Sequence, residues 1–70
     1  MQTEEIEQRL RRRSHHHDAE LEVTERDDGG WNASFGRSDG TAVLSADGPD
    51  REAALQALYE LDELEDLAGG

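Results

Sequence analysis

The sequence has no cysteine and no lysine. The first absence removes disulfides, thiolate nucleophiles and cysteine-based zinc sites together. The second leaves arginine as the only strong base: all seven basic residues are Arg, against 18 acids, for a formal net charge of −11. Aromatic residues are nearly missing as well, with one Trp, one Phe and one Tyr, and there is a single Pro. No apolar run approaches the roughly 18 residues needed to cross a membrane. The N-terminal stretch MQTEEIEQRLRRR lacks the apolar centre of a signal peptide. The expectation is a soluble, cytoplasmic protein with no membrane association.

Apolar residues make up 33% of the chain. Its 70 residues allow one small domain, and a domain of this size buries only about 60% of its unfolded surface. A core this thin gains from a partner or a second copy. Low hydrophobicity with high net charge marks disorder. It also marks adaptation to concentrated salt, where the Debye length falls to about 3 Å at 1 M. Carboxylates hold water well, whereas a lysine stem adds exposed apolar surface. The clear folding signals in the middle and end of the chain favour the second reading, and the composition resembles that of cytoplasmic proteins from salt-in halophiles.

Residues 1–18 read as an Arg-rich arm. Thr3 can cap a helix, with Glu4, Glu5 and Glu7 early and Arg9, Arg11, Arg12 and Arg13 late, an order that suits the helix dipole. Only Ile6 and Leu10 are apolar, so a short or frayed helix is expected, followed by a loop over Ser14–Asp18. Residues 19–70 read as a β-β-β-α domain. Ala19–Thr24 alternates apolar and polar residues, as a half-buried strand does. Asp27-Asp28-Gly29-Gly30 is a turn. Trp31, Ala33 and Phe35 alternate with Asn32 and Ser34 in a second strand. Gly36–Gly40 turns again, and Thr41–Ala46 is a third strand in which Ala42, Leu44 and Ala46 share a face opposite Val43. Asp47-Gly48-Pro49 breaks the sheet, and Asp50 is an N-cap. Ala54, Leu55, Leu58, Leu61, Leu64 and Leu67 form one broad helical stripe, and Gly69-Gly70 ends the helix. The fold class is therefore α+β: a three-stranded antiparallel meander packed by a C-terminal amphipathic helix. Its expected core is Trp31, Phe35, Leu44, Leu55, Leu58 and Leu61.

Three stretches carry a resemblance. Asp27–Phe35 is similar to the acidic turn, Gly, aromatic, x, Ala pattern in the N-terminal domain of HicB-family antitoxins. Ser38-Asp39-Gly40 falls where that family has Pro-Asp-Leu-Pro-Gly, with both prolines missing. Gly48–Leu55 resembles the family's Gly-Asp-Thr-x-Glu-Glu-Ala helix start, with Asp50 at the capping Thr. The resemblance spans Glu20 to Leu67, about two-thirds of the chain. It implies a free-standing module that binds a protein partner, such as a basic toxin-like protein. The DNA-binding segment that follows in HicB proteins is not part of this sequence, and no catalytic residue carries over.

His15-His16-His17 with Asp18 could supply metal ligands, but a structural zinc site needs four ligands at defined spacing, and a solvated loop is the simpler reading. Arg9, Arg11, Arg12 and Arg13 are the one basic patch and the candidate nucleic-acid contact. The acidic remainder would repel phosphate, and salt weakens such contacts. Glu60, Asp62, Glu63, Glu65 and Asp66 read as a solvated helix face; acid–base catalysis needs a carboxyl in a pocket. Gly36 and Gly40 are not followed by the Gly-Lys-Ser/Thr of a phosphate loop. No catalytic, cofactor or metal residue is assigned, and the expected function is non-catalytic protein binding. The alternatives are a small nucleic-acid-associated protein using the Arg9–Arg13 arm, or a metal-binding module. A homodimer is expected through the third-strand edge or the far end of the leucine helix, where Leu64 and Leu67 overhang the sheet and Val43 lacks cover. The competing arrangement folds the arm back so that Ile6 and Leu10 cover Val43.

Overall fold

The structure is a computed structural model that describes residues 3–69. Helix α1 (Thr3–His16) is followed by strands β1 (Glu20–Glu25), β2 (Trp31–Gly36) and β3 (Ala42–Gly48), and by helix α2 (Arg51–Gly69). The strands form one antiparallel sheet in the order β1-β2-β3. The fold is the expected α+β meander with a C-terminal helix. Gly70 lies outside the described residues, so the Gly69-Gly70 stop is observed only as far as Gly69.

Both hairpins have the same construction. In the first, Arg26 donates its N–H to Gly30 (2.7 Å) and Gly29 donates to Arg26 (3.1 Å). In the second, Arg37 donates to Thr41 (2.8 Å) and Gly40 to Arg37 (3.0 Å). Each loop ends on a left-handed glycine, Gly29 or Gly40, at φ 90°, the geometry of a three-residue hairpin with a glycine bulge. The preceding aspartate braces each turn: Asp28 accepts from the Gly30 N–H at 3.0 Å and Asp39 from the Thr41 N–H at 3.0 Å. The Thr41 hydroxyl also donates to Asp39 (2.7 Å), and these bonds hold the Asp39 carboxyl below its ordinary pKa. At the start of α2 the Asp50 carboxylate accepts from the Ala53 N–H at 2.8 Å, the expected N-cap bond.

Helix α1 is longer and more firmly seated than a short or frayed arm. It runs 14 residues, continues through Ser14-His15-His16 where a loop is expected, and contributes Ile6 and Leu10 to the same core as the sheet and α2. It ends in a Schellman motif, with Ala19 N–H bonding to Ser14 O (2.8 Å) and Asp18 N–H to His15 O (3.1 Å). Asp18 takes the left-handed position, at φ 57°.

The core is Ile6, Leu10, Ala33, Phe35, Ala54, Leu55 and Leu58. Of the expected core residues, Phe35, Leu55 and Leu58 are fully buried. Trp31 and Leu44 are only half-buried and pack against the cluster from its border. Trp31 sits at the start of β2 opposite Glu25 and Gly48, at the end of the sheet, so its cover is partial. Leu61 is half-buried and lies outside the cluster. The reason is helical drift: residues advance about 100° each, so a step of three falls about 60° short of a full turn. The row Leu58, Leu61, Leu64, Leu67 therefore rotates out of the core. Asp62, four residues after Leu58, takes the inward position at 4% exposure, while Leu64 and Leu67 are 63% and 78% exposed. Val43 also departs from expectation. A register shift at Phe35/Gly36 pairs Phe35 with Leu44 and Gly36 with Ala42, and the intervening Val43 is half-buried against the core.

Candidate functional site

Asp62 is the focus of the inter-helix contact. Its Oδ2 accepts from Arg13 Nε at 2.7 Å, and its Oδ1 pairs with His17 Nε2 at 2.8 Å. The His17 ring packs 5.3 Å from the ring of Phe35. Burial pushes the Asp62 carboxyl up, but the hydrogen bonds from Arg13 and His17 outweigh it and hold the carboxyl below its ordinary pKa. With one oxygen held by Arg13 and the other by His17, this carboxylate acts as a clasp between α1 and α2.

The four arginines expected as one basic patch are divided. Arg13 turns inward to Asp62 and reaches Asp66 at 3.5 Å, and the hydrogen bond to Asp62 raises its pKa. Arg9 donates to the Tyr59 hydroxyl at 2.9 Å. Arg11 lies 3.9 Å from Glu7, and Glu7 also pairs with Arg51 of α2. Arg12 is exposed beside a groove of about 340 Å³ lined by Arg9, Arg12, Arg13, Tyr59, Asp62, Glu63 and Asp66. Its walls alternate in sign. The histidines also separate: His15 and His16 are exposed on the last turn of α1, and His17 faces Asp62. Among the described residues, no group of three or more His, Cys, Asp or Glu is placed to hold a metal ion.

Both helices cover one face of the sheet, that of Leu21, Val23, Ala33, Phe35, Leu44 and Ala46. The opposite face is open. Across it run the rows Glu22, Ser34, Ser45 and Thr24, Asn32, Asp47. The second row is organised: Asn32 Nδ2 donates to Asp47 Oδ1 (2.8 Å) and to the Ala46 carbonyl (3.2 Å), and Arg26 pairs with Asp47 at 2.8 Å. The bonds from Asn32 and Arg26 keep the Asp47 carboxyl below its ordinary pKa. The sheet edges differ in charge. Edge strand β1, ELEVTE, carries three glutamates, whereas edge strand β3 has no charged residue before Asp47.

Reading the sequence by residue type missed Asp62, His17 and Tyr59. For Asp62 a signal was present: it stands four residues after Leu58, where the inward face of the helix continues. Among the described residues, no helix is long and apolar enough to cross a membrane. Comparison of the chain with protein-family models, with curated proteins and with solved structures finds no match.

Proposed function

We propose that this chain is a small non-catalytic protein-interaction module, a HicB-like antitoxin or a related regulatory domain, that binds a basic partner protein across the open face of its sheet. One observation carries the reading: α1 and α2 lie on the same side, leaving a polar, acidic surface of Glu20, Glu22 and Asp47 uncovered on the meander. The net charge of −11 favours a cationic partner, with electrostatic steering at low salt that molar salt blunts. The stretches that resemble HicB are the first hairpin and the capped start of α2, which set the sheet and helix in place.

The test is affinity capture in molar KCl with the wild-type chain and a Glu22→Lys/Ser34→Arg variant as baits. A basic protein held by the first and lost by the second, whose growth arrest on expression is relieved by this chain, is the expected result. Equal capture by both baits overturns the use of this face. Retention of an RNA or DNA duplex that disappears in Arg11→Glu/Arg12→Glu moves the function to the arginine helix.

A further inference from the structure

We infer that this chain forms a two-fold dimer in which β3 pairs antiparallel with β3 of a second copy and α2 packs against α2 of that copy. The observation behind it is an apolar row on α2 that the core does not use. Ala57, Leu61, Leu64 and Ala68 follow one another at spacings of four, three and four. At about 100° per residue they fall within a strip about 60° wide. Ala57 and Leu61 are half-buried, Leu64 is 63% exposed and Ala68 is exposed. Arg9, Arg13 and His17 meet α2 at Tyr59 and Asp62, on its other flank. The unused row therefore lies away from α1, over the β3 edge.

The occupant follows from the order of the row. Ala-Leu-Leu-Ala at four-three-four reads the same in both directions. An isologous contact between antiparallel copies requires this, since each patch must complement itself. Rotation about the point between Leu61 and Leu64 sets Leu61 against the second Leu64 and Ala57 against the second Ala68. The edge below is equally self-compatible, because Ala42–Ala46 carries no charge while β1 is guarded by Glu20, Glu22 and Glu25. Charge is one of the protections an edge strand can carry against pairing, and Ala42–Ala46 lacks it.

The helix and strand contacts also share one axis. Gly48 lies directly under Ala54, where a Cβ would strike the Ala54 backbone nitrogen. From Ala54 to the Leu61/Leu64 midpoint is about 13 Å along a helix. Four residues back along β3, about 13 Å, reaches Leu44. The level agrees with the chain of contacts from Asp62 to His17, His17 to Phe35, and Phe35 to its partner Leu44. Neighbouring strands lie about 4.8 Å apart. A helix seated between β2 and β3 therefore meets its copy at about 10 Å, the separation of packed helices. Val43 lies in the paired edge through its backbone, while its side chain packs against the core.

The rim gives the dimer a diagnostic salt response. At about 100° per residue Glu60 and Glu65 lie on opposite margins of the strip, so the same rotation brings each toward its own copy, Glu60 along one rim and Glu65 along the other. These like charges oppose association at low salt and are screened at high salt. The open sheet face stays free, so the dimer and the partner proposed above do not compete, and the dimer is tested on the purified chain alone.

Sedimentation equilibrium of the full chain across a KCl series is the experiment, with circular dichroism confirming that each variant is folded. The wild type is expected to dimerise more tightly as KCl rises. Leu64→Glu should be monomeric throughout. Glu60→Gln, which removes the like charges along one rim, should lower the dissociation constant at low salt by about threefold and flatten the salt trend. Hydrogen exchange should show concentration-dependent protection in β3 and none in β1. A wild type that stays monomeric in molar KCl, or a dimer that ignores both variants, overturns the proposal.

Discussion

Replacing Asp62 by alanine removes the acceptor shared by Arg13 and His17. A hydrogen bond to a charged group contributes about 1.5–3 kcal/mol, and two short ones are lost together with a longer one from Arg13 Nη2 at 3.4 Å. Three features reduce the sum. The Arg13 and His17 side chains are 29% and 21% exposed and can turn toward water. Arg13 keeps Asp66 at 3.5 Å. The desolvation of Asp62 itself, 5% exposed in its side chain, is returned when the carboxylate is deleted. The net loss is about 2 kcal/mol, below the roughly 3–5 kcal/mol of a fully buried pair broken on one side. A chain of this length has about 4–10 kcal/mol in total, so the midpoint of thermal unfolding in molar KCl should fall by about 8–16 °C.

The pH dependence carries the same information. The Asp62 carboxyl is held below its ordinary pKa in the folded chain. Its contribution is therefore present above the unfolded carboxyl value of about 3.9 and is lost as pH falls through the lower folded value. Thermal melts followed by circular dichroism should show the gap between wild type and Asp62→Ala closing below about pH 4. Asp62→Leu combined with Arg13→Met should recover most of the loss, because an apolar pair can replace an ion pair of this kind. A variant within about 0.5 kcal/mol of wild type at neutral pH, or a gap that widens in acid, would refute the role given to the clasp.

Leu10→Ala should cost about 2–5 kcal/mol and exceed Trp31→Ala, since Leu10 is fully buried and Trp31 half-exposed; urea unfolding at constant KCl ranks them, and the reverse order would make α1 peripheral. Asp18→Gly should stabilise by about 1 kcal/mol, because Asp18 holds a left-handed φ of 57° that glycine adopts freely; an unchanged melting temperature would remove strain from that cap. Gly48→Ala should destabilise by about 1–3 kcal/mol, because its methyl meets the Ala54 backbone; a neutral result would show that β3 and α2 separate easily. Folding should strengthen from millimolar to molar KCl as carboxylate repulsion is screened, and equal stability at both ends would count against salt adaptation.

Much of the fold was legible because its signals are local. Asp-Asp-Gly and Ser-Asp-Gly mark two hairpins that share one geometry, and Asp50 caps α2 as its position suggests. The extent of α1 was not legible. Two apolar residues are few for a helix, and what secures it comes from far along the chain: Arg13 meets Asp62 across 49 residues and Arg9 meets Tyr59 across 50. The place of Val43 was hidden for a different reason. One register shift at Phe35/Gly36 changes which side chains share a face, and strict alternation cannot register it.

The leucines of α2 show why a periodic pattern overstates a core. A row at spacing three turns about 60° per step on an α-helix, so Leu58, Leu61 and Leu64 cannot all face one sheet. The inward position after Leu58 belongs to residue 62, and this chain places an aspartate there. The sequence therefore holds two superposed patterns. Ala54, Leu55, Leu58 and Asp62 serve the sheet and α1; Ala57, Leu61, Leu64 and Ala68 serve neither. Only after the buried set is subtracted does the second row become visible, together with its mirror order. Burial agrees with the expected overhang of Leu64, which is 63% exposed, and reverses the reading of Asp62 as part of a solvated face, since it is 4% exposed. An apolar row left over in this way, beside an uncharged strand edge on a chain otherwise dense in acid, is where a second copy costs the least repulsion to bring close.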